Sequence, residues 1–265
     1  MRISLYRYAP FIVMAFCGAT AYLIVHEDSP VVRLEKAYQF VHANLSTDAS
    51  VSYAYGDRRF SALEPEWYDV DAAEYYFLLA AERDPEFPYV NHQLARIEFL
   101  RGDFLDALIL INRELEVHPD PSPSTYYIRG LIEGFAGLYD MSARDYEIYL
   151  EADPTNWAAI NDYAWVLLKA DRSADALLAT VRGLSHFPEN PWLLNSNAIA
   201  LYEEGFYEEA HEQALLATRF VMQLREKDWL IAYPGNDPRI AHEGLQALSD
   251  SIRRNLLAIR ERVAD

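Results

Sequence analysis

The heptapeptide Arg101-Gly102-Asp103-Phe104-Leu105-Asp106-Ala107 returns in closely similar form as Glu204-Gly205-Phe206-Tyr207-Glu208-Glu209-Ala210. Both copies place a glycine two residues before an aromatic residue and five residues before an alanine. Between them, Gly137 and Tyr139 keep the same glycine–aromatic spacing. A pattern that returns in this way indicates an internal repeat, and its period identifies the repeating unit.

Two series of small residues set the period. The first recurs at spacings of 34, 35, 34 and 34 residues, and the second at 35, 34 and 34. A proline follows each of the first four members of the first series by 12 residues. The first series is Ala73, Ala107, Ser142, Ala176 and Ala210, the second is Ala95, Gly130, Ala164 and Ala198, and the prolines are Pro85, Pro119, Pro154 and Pro188. A period of about 34 residues is the length of one helix–turn–helix unit in a stacked array.

These residue types fit the contacts that such units make. Two antiparallel helices approach closely only where their side chains are small, so a small residue on each helix marks the place where the two touch. Proline has no N–H group and cannot continue a helix interior, but it suits a helix start or the turn before it. Each proline therefore separates one unit from the next. Because a single unit cannot bury its apolar face, neighbouring units must stack.

At these positions the chain resembles the tetratricopeptide repeat family. The matching positions are a small residue on the first helix (A), a glycine before the turn, an aromatic residue two positions later, a small residue on the second helix (B) and the closing proline. The chain departs from this pattern at Asp171, which replaces a glycine, at Ser142, and at Met222, where the last helix is expected to run on. The resemblance implies an all-α fold, an α-solenoid of about five repeats over residues 71–222, and a role in binding partner proteins.

The composition limits the classes of partner. Half of the residues are hydrophobic (51%), 24% are charged and the formal net charge is −18, so the chain is globular and acidic. Phosphate groups would be repelled, which disfavours nucleic acid and anionic lipid and favours a partner that is basic, although the charge could also serve solubility alone. Cys17 is the single cysteine, so disulfide bonds within the chain are excluded.

The N-terminus contains an uncharged apolar stretch. After a tail of residues 1–7, Tyr8 to Val25 carries no charge over 18 residues, which is close to the minimum for a membrane-spanning helix. Arg2 and Arg7 precede it, so residues 8–26 are predicted to anchor the chain with the N-terminus cytoplasmic and the repeats on the far side of the membrane. The alternative is a signal peptide cleaved after Ala19-Thr20-Ala21, which would give a secreted protein.

Residues 27–70 are expected to form a first helix and a long connection. Apolar residues at spacings of 3, 4, 3 and 4 predict a helix from Val31 to Leu45, starting at Ser29-Pro30. Residues 46–69 lose this period and are predicted to connect it to a helix over Asp71–Ala81. The simplest pairing joins these two helices as the first repeat.

The first helices of the repeats are expected to line a concave groove, where members of the family commonly hold peptides. Pairs four residues apart share one helix face, and amide and aromatic side chains suit peptide binding. The predicted partner-binding residues are His92, Arg96, Tyr127, Leu131, Asn161, Trp165, Asn195, Ile199 and Tyr202, with Lys169 nearby. The competing interpretation places Tyr127 and Trp165 in the core.

Residues 223–265 are expected to form a linker and a capping helix. Asp237 and Pro238 suit a helix start. The final helix carries an apolar stripe that fits either a cap on the last repeat or a two-stranded coiled coil. The stripe is Leu245, Leu248, Ile252, Leu256, Ile259 and Val263.

No motif for a phosphate-binding loop, a zinc protease or a serine hydrolase is present, and the seven histidines are scattered. We therefore expect no enzyme, no cofactor and no metal site. The sequence predicts a membrane-anchored scaffold that binds a protein or peptide in the groove, with the oligomeric state left open. The alternative is a structural subunit of a larger membrane or envelope complex, which contacts its partners through the convex face and residues 46–69.

Overall fold

The computed structural model describes residues 29–118, 121–233 and 235–264, and within these ranges all regular structure is helical. The helices are α1 (Pro30–Leu45), α2 (Ala49–Arg59), α3 (Val70–Arg83), α4 (Val90–Arg101), α5 (Phe104–Val117), α6 (Pro123–Phe135), α7 (Tyr139–Ala152), α8 (Trp157–Lys169), α9 (Ser173–His186), α10 (Pro191–Glu203), α11 (Tyr207–Val221), α12 (Glu226–Ala232) and α13 (Ala241–Ala264). The chain divides into two compact units, one ending at Val90 and the other beginning at Asn91. The all-α expectation is confirmed.

In the first unit, α2 and α3 form an antiparallel pair. The backbone N–H of Asp69, before α3, donates to the carbonyl of Arg59 at the end of α2 (2.8 Å). The helices touch at Gly56, where an added Cβ would lie 2.7 Å from the ring of Phe77. The prediction of an irregular connection over residues 46–69 is therefore wrong, and so is the pairing of α3 with the helix at 31–45. The pattern was hidden because the buried residues of α2 are small or polar, and its large contacts are made by tyrosines, Tyr53 and Tyr55.

Helix α1 spans the predicted residues, with the Ser29 side chain capping its first turn, but its orientation is unexpected. Its buried side is polar and includes Lys36 and Gln39. Polar contacts join it to α2: Glu35 pairs with Arg58 (2.6 Å), and Gln39 accepts a hydrogen bond from Arg59 (3.2 Å). The predicted apolar stripe consequently lies outside this contact.

The loop that follows α2 is held by an aromatic residue. Trp67 is buried, and the Arg58 guanidinium lies 3.6 Å from the centre of its ring. The backbone N–H of Trp67 donates to the carbonyl of Glu64 (2.8 Å). The loop between α2 and α3 consists of residues 60–69, which is shorter than the connection predicted over residues 46–69.

The second unit contains four consecutive A/B pairs: α4/α5, α6/α7, α8/α9 and α10/α11. The repeating small residues of these pairs are fully buried alanines, except in α6/α7, where the Ser142 hydroxyl donates to the carbonyl of Gly130 (2.5 Å). Larger apolar residues close the core around them, such as Ile111 and Ile132 in one cluster and Val166 and Leu167 in the next. The 34-residue period therefore reports the helix contacts correctly.

The turn between the helices of each pair needs a left-handed residue. Gly102, Gly137 and Gly205 have φ angles of 85°, 80° and 84°, and Asp171 takes the same place with φ 56°. This explains why glycine recurs at this position.

The C-terminal end closes the array. Helix α11 ends at Val221 with Met222 as its C-cap, so the expected continuation of this helix is wrong. Asp237 caps a 3₁₀ turn over Pro238–Ile240, and α13 follows directly. Ile252 is buried with Leu194, Ala217 and Val221, and Ile259 is buried with a second cluster of α10 and α11. The stripe of α13 therefore packs against α10 and α11, as the capping interpretation predicts.

The predicted anchor over residues 8–26 lies outside the described residues. Among the helices that the structure describes, none is both long and apolar enough to cross a membrane.

Candidate partner-binding surface

The A helices α4, α6, α8 and α10 carry all the residues that the sequence assigned to the groove. The structure divides these residues into three groups. Some are buried between helices, some are covered by the C-terminal segment, and some remain open to solvent.

His92 belongs to the buried group. Its side chain is hidden and its Nδ1 atom lies 3.2 Å from the Thr125 hydroxyl. Burial, together with the positive charge of Arg96, lowers its pKa to about 3, so the imidazole is neutral at pH 7. Arg96 is half-buried and donates to the side chain of Gln93 (2.7 Å).

Four side chains of α6, α8 and α10 form a polar row. The Tyr127 hydroxyl donates to Asp162 Oδ2 (2.7 Å), the Asn161 amide donates to Asp162 Oδ1 (3.3 Å), and Ser196 donates to Asn161 Oδ1 (2.8 Å). Burial raises the pKa of Asp162 to about 6, against the opposing effect of the hydrogen bonds from Tyr127 and Asn161. Tyr127 also packs edge-on against Tyr146, so it serves the core as well as the groove.

The chain's own C-terminal segment covers the polar row. The indole N–H of Trp192 on α10 donates to the hydroxyl of Tyr233 (3.0 Å). Burial and the charge of Asp162 raise the pKa of Tyr233 to about 12. Two residues later, Gly235 lies so close to Arg96 that an added Cβ would be 2.8 Å from the guanidinium. Tyr233 thus contacts α10, and Gly235 lies against α4.

Helix α13 covers two more of the predicted residues. The Asn255 amide of α13 donates to Asn195 Oδ1 (2.9 Å). Tyr202 packs in the cluster that contains Leu256 and Ile259. The sequence assigned both residues to a partner, whereas in the structure the cap occupies them.

The open group lies toward the C-terminal ends of the A helices. Leu131, Trp165 and Ile199 are half-buried there, and Lys169 is exposed. Trp165 belongs to a row of rings: Phe99 packs edge-on against Phe135 (centroids 5.2 Å apart), and Phe135 lies tilted against Trp165 (5.1 Å). We call Phe99, Phe104, Phe135 and Trp165 the aromatic row. Phe135, which is 53% exposed, was missed from the sequence although it lies four residues after Leu131.

On the other side of the array, a cleft of about 390 Å³ opens among α7, α8 and α9. The polar side chains that line the cleft bond to one another: the Tyr163 hydroxyl donates to Glu147 (2.7 Å), and Arg172 donates to Asp175 (2.8 Å). Over the described residues, no three histidine, cysteine or acidic side chains are grouped to hold a metal ion.

The repeated helical pairs define an all-α repeat fold. Its similarity to solved structures is clear in shape and low in sequence. A crystal structure of the protein MamA matches 70% of this chain and 94% of its own length with a TM-score of 0.55 and 16% identity. The crystal structure of YrrB, described as a TPR protein with an unusual peptide-binding site, matches 74% of this chain and 95% of its own length with a TM-score of 0.57 and 13% identity.

A further MamA structure matches 65% of this chain and 99% of its own length, with a TM-score of 0.57 and 18% identity. No protein-family model matches the chain, and no curated protein matches it. At these identities the comparisons establish the fold.

Proposed function

We propose that this protein is a scaffold that binds a partner polypeptide along the aromatic row. The observation that carries the proposal is Phe135, which is 53% exposed although its ring contacts Phe99 and Trp165, so that the three rings connect three A/B pairs. Aromatic side chains of this kind, with one face packed and one edge free, are typical centres of protein interfaces. Leu131 lies four residues before Phe135 on the same helix face, and Lys169 lies four residues after Trp165 on α8. YrrB, a structural neighbour, is described as having a peptide-binding site.

The partner and the location are part of the proposal. The net charge of −18 favours a basic partner, because opposite charge steers association. The uncharged stretch Tyr8–Val25 would hold the scaffold at a membrane, with the repeats on the side away from the cytoplasm.

A second candidate function is supported by the B helices. Leu105 and Ile109 on α5, and Leu178 and Val181 on α9, are all more than half exposed. An assembly subunit that docks through this convex face would use these residues and leave the aromatic row free.

Site-specific photocrosslinking in native membranes distinguishes the two functions. A photoreactive phenylalanine analogue is placed at Phe135, at Leu105 on the convex face, or at Leu63 in the loop, all of which are exposed. If the protein is a scaffold, the analogue at position 135 should crosslink to one defined partner. The second substitution Leu131→Ala should lower the yield of that crosslinked product. Crosslinks from positions 105 or 63 alone would contradict the scaffold function and support the subunit. Carbonate extraction of the same membranes tests the anchor separately.

A further inference from the structure

Among the described residues of the first unit, helix α1 carries an apolar stripe that is mostly exposed. Val31, Leu34, Tyr38 and Leu45 are 74%, 66%, 61% and 77% exposed. The opposite side of the same helix is polar and buried against α2. A soluble helix normally places these two kinds of residue the other way round. We propose that a second copy of this chain covers the stripe, and that the two α1 helices form a parallel coiled coil.

The spacing of the stripe specifies a helix as the occupant. Val31, Leu34, Tyr38, Val41 and Leu45 follow one another at 3, 4, 3 and 4 residues, which is the 3.5-residue period of a coiled-coil seam. A stripe facing a globular core is wider and includes a third position in each heptad. The corresponding third positions here, Glu35 and His42, are polar and bond to α2, Glu35 to Arg58 and His42 Nδ1 to the Tyr55 hydroxyl at 2.7 Å.

The residues that flank the seam allow a copy of the same helix despite the acidity of the chain. In a parallel pair, Ala37 of one helix would lie opposite His42 of the other, and Pro30 opposite Glu35. No like charges face each other at these positions. Lys36, whose charge would be repelled at a seam, is buried on the other side of the helix, with its ammonium group 5.8 Å from the centre of the Trp67 ring.

The orientation follows from the start of the helix, and this step rests on the proposed anchor. Helix α1 begins at Pro30, only five residues after the uncharged stretch ends at Val25. Two copies held in one membrane would therefore present their α1 helices side by side, both starting at the membrane. The stripe spans about two heptads, which is short for a free coiled coil, but tethering raises the effective concentration of the second helix to about the millimolar range.

Disulfide trapping of the full chain in native membranes tests this proposal. In a Cys17→Ser background, Leu34→Cys or Val41→Cys places one thiol in the seam, and mild oxidation should trap a symmetric dimer. Phe40→Cys on another face of α1 and Leu105→Cys on α5 are the matched controls, and they should react at least about tenfold more slowly because their thiols do not meet at this concentration.

A second measurement removes the apolar seam without touching the fold. The double substitution Leu34→Glu and Tyr38→Glu should convert the dimer to a monomer in sedimentation experiments on the detergent-solubilised chain, with an unchanged helical circular dichroism spectrum. A monomeric parent chain would overturn the proposal. Equal rates of disulfide formation at positions 34 and 105 would also overturn it. So would a disulfide that forms only between position 34 of one variant and position 41 of the other in mixed samples, because this result indicates an antiparallel pair. None of these outcomes depends on partner binding at Phe135, so the two proposals can fail independently.

Discussion

Asp171 occupies a turn position that glycine fills in the other three A/B pairs of the second unit. Its φ of 56° lies in the left-handed region, where a side chain meets the following carbonyl group. Aspartate tolerates this conformation better than most residues but less well than glycine. The site therefore stores a small strain that the repeat pattern itself reveals.

Replacing Asp171 with glycine should raise the free energy of unfolding by about 0.5–1 kcal/mol, because the left-handed turn then carries no side-chain strain. Chemical denaturation monitored by circular dichroism measures the change. The reciprocal control is Gly137→Asp, at φ 80°, which should lower stability by a similar amount or more. Destabilisation by Asp171→Gly would mean that the carboxylate makes a contact that outweighs the strain.

Glu133 is a buried acid next to another acid. Its carboxyl group is buried, Asp145 holds the nearby Arg129 by a 2.6 Å ion pair, and Arg129 is 3.8 Å from Glu133. Burial, and then the charge of Asp145, raises the pKa of Glu133 from 4.5 to about 7. The folded state therefore binds a proton between pH 4.5 and pH 7 that the unfolded chain has released, so this group lowers stability as pH rises through that window.

Glu133→Gln should remove this pH dependence. At pH 8 the variant should be more stable than the parent chain by about 1–3 kcal/mol, and near pH 4.5 the two should be similar. Urea unfolding at pH 4.5, 6 and 8 gives the difference directly, with Asp140→Asn, an exposed acid on α7, as the control. A constant difference at all three pH values would show that folding does not raise the pKa of Glu133.

At the scale of the helices, α13 determines whether the last repeat is stable. Ile252→Ala should cost about 2–4 kcal/mol, because Ile252 is fully buried against Leu194, Ala217 and Val221. Leu257→Ala, on the exposed side of the same helix, should change stability by less than about 0.5 kcal/mol. Thermal unfolding of both variants measures the two costs. Similar losses would indicate that α13 is not docked as the structure shows.

The sequence predicts those helices whose contacts repeat. The A/B pairs from α4 to α11 follow from the 34-residue period because each places a small residue where two helices touch. Helix α2 escaped prediction because its buried residues, such as Ser52 and Gly56, are small or polar and give no apolar period. The α1 stripe was visible, but periodicity does not say on which side of a helix the rest of the chain lies.

The candidate surface shows the same limit. The sequence places Leu131, Trp165 and Ile199 on one face, and the structure leaves them partly open. The sequence does not predict the contact between Tyr233 and Trp192. These residues are 41 positions apart, and Tyr233 lies in a segment that does not repeat, so periodicity gives no information about it. The binding roles assigned to the groove residues remain predictions.

At the scale of the whole molecule, the charge should oppose folding. With a net charge of −18, the compact state suffers self-repulsion that salt screens within about 10 Å at 0.1 M. The thermal midpoint should therefore rise by several degrees between about 20 mM and about 200 mM NaCl. Calorimetry measures the shift. The variant Glu151→Lys with Glu203→Lys, at exposed positions near helix ends, should show a smaller rise. A midpoint that does not move with salt would contradict long-range repulsion.

The contacts of Tyr233 and Gly235 with the A helices also have a mechanical consequence. An array in which each repeat touches only its neighbours bends and stretches like a spring, because no bond limits the sum of many small rotations. Here the Tyr233 hydroxyl accepts a hydrogen bond from Trp192 on α10, and Gly235 lies against Arg96 on α4. Helices α4 and α10 belong to pairs that are three repeats apart. We therefore expect these two contacts to limit bending of the second unit, in addition to the packing of adjacent helices.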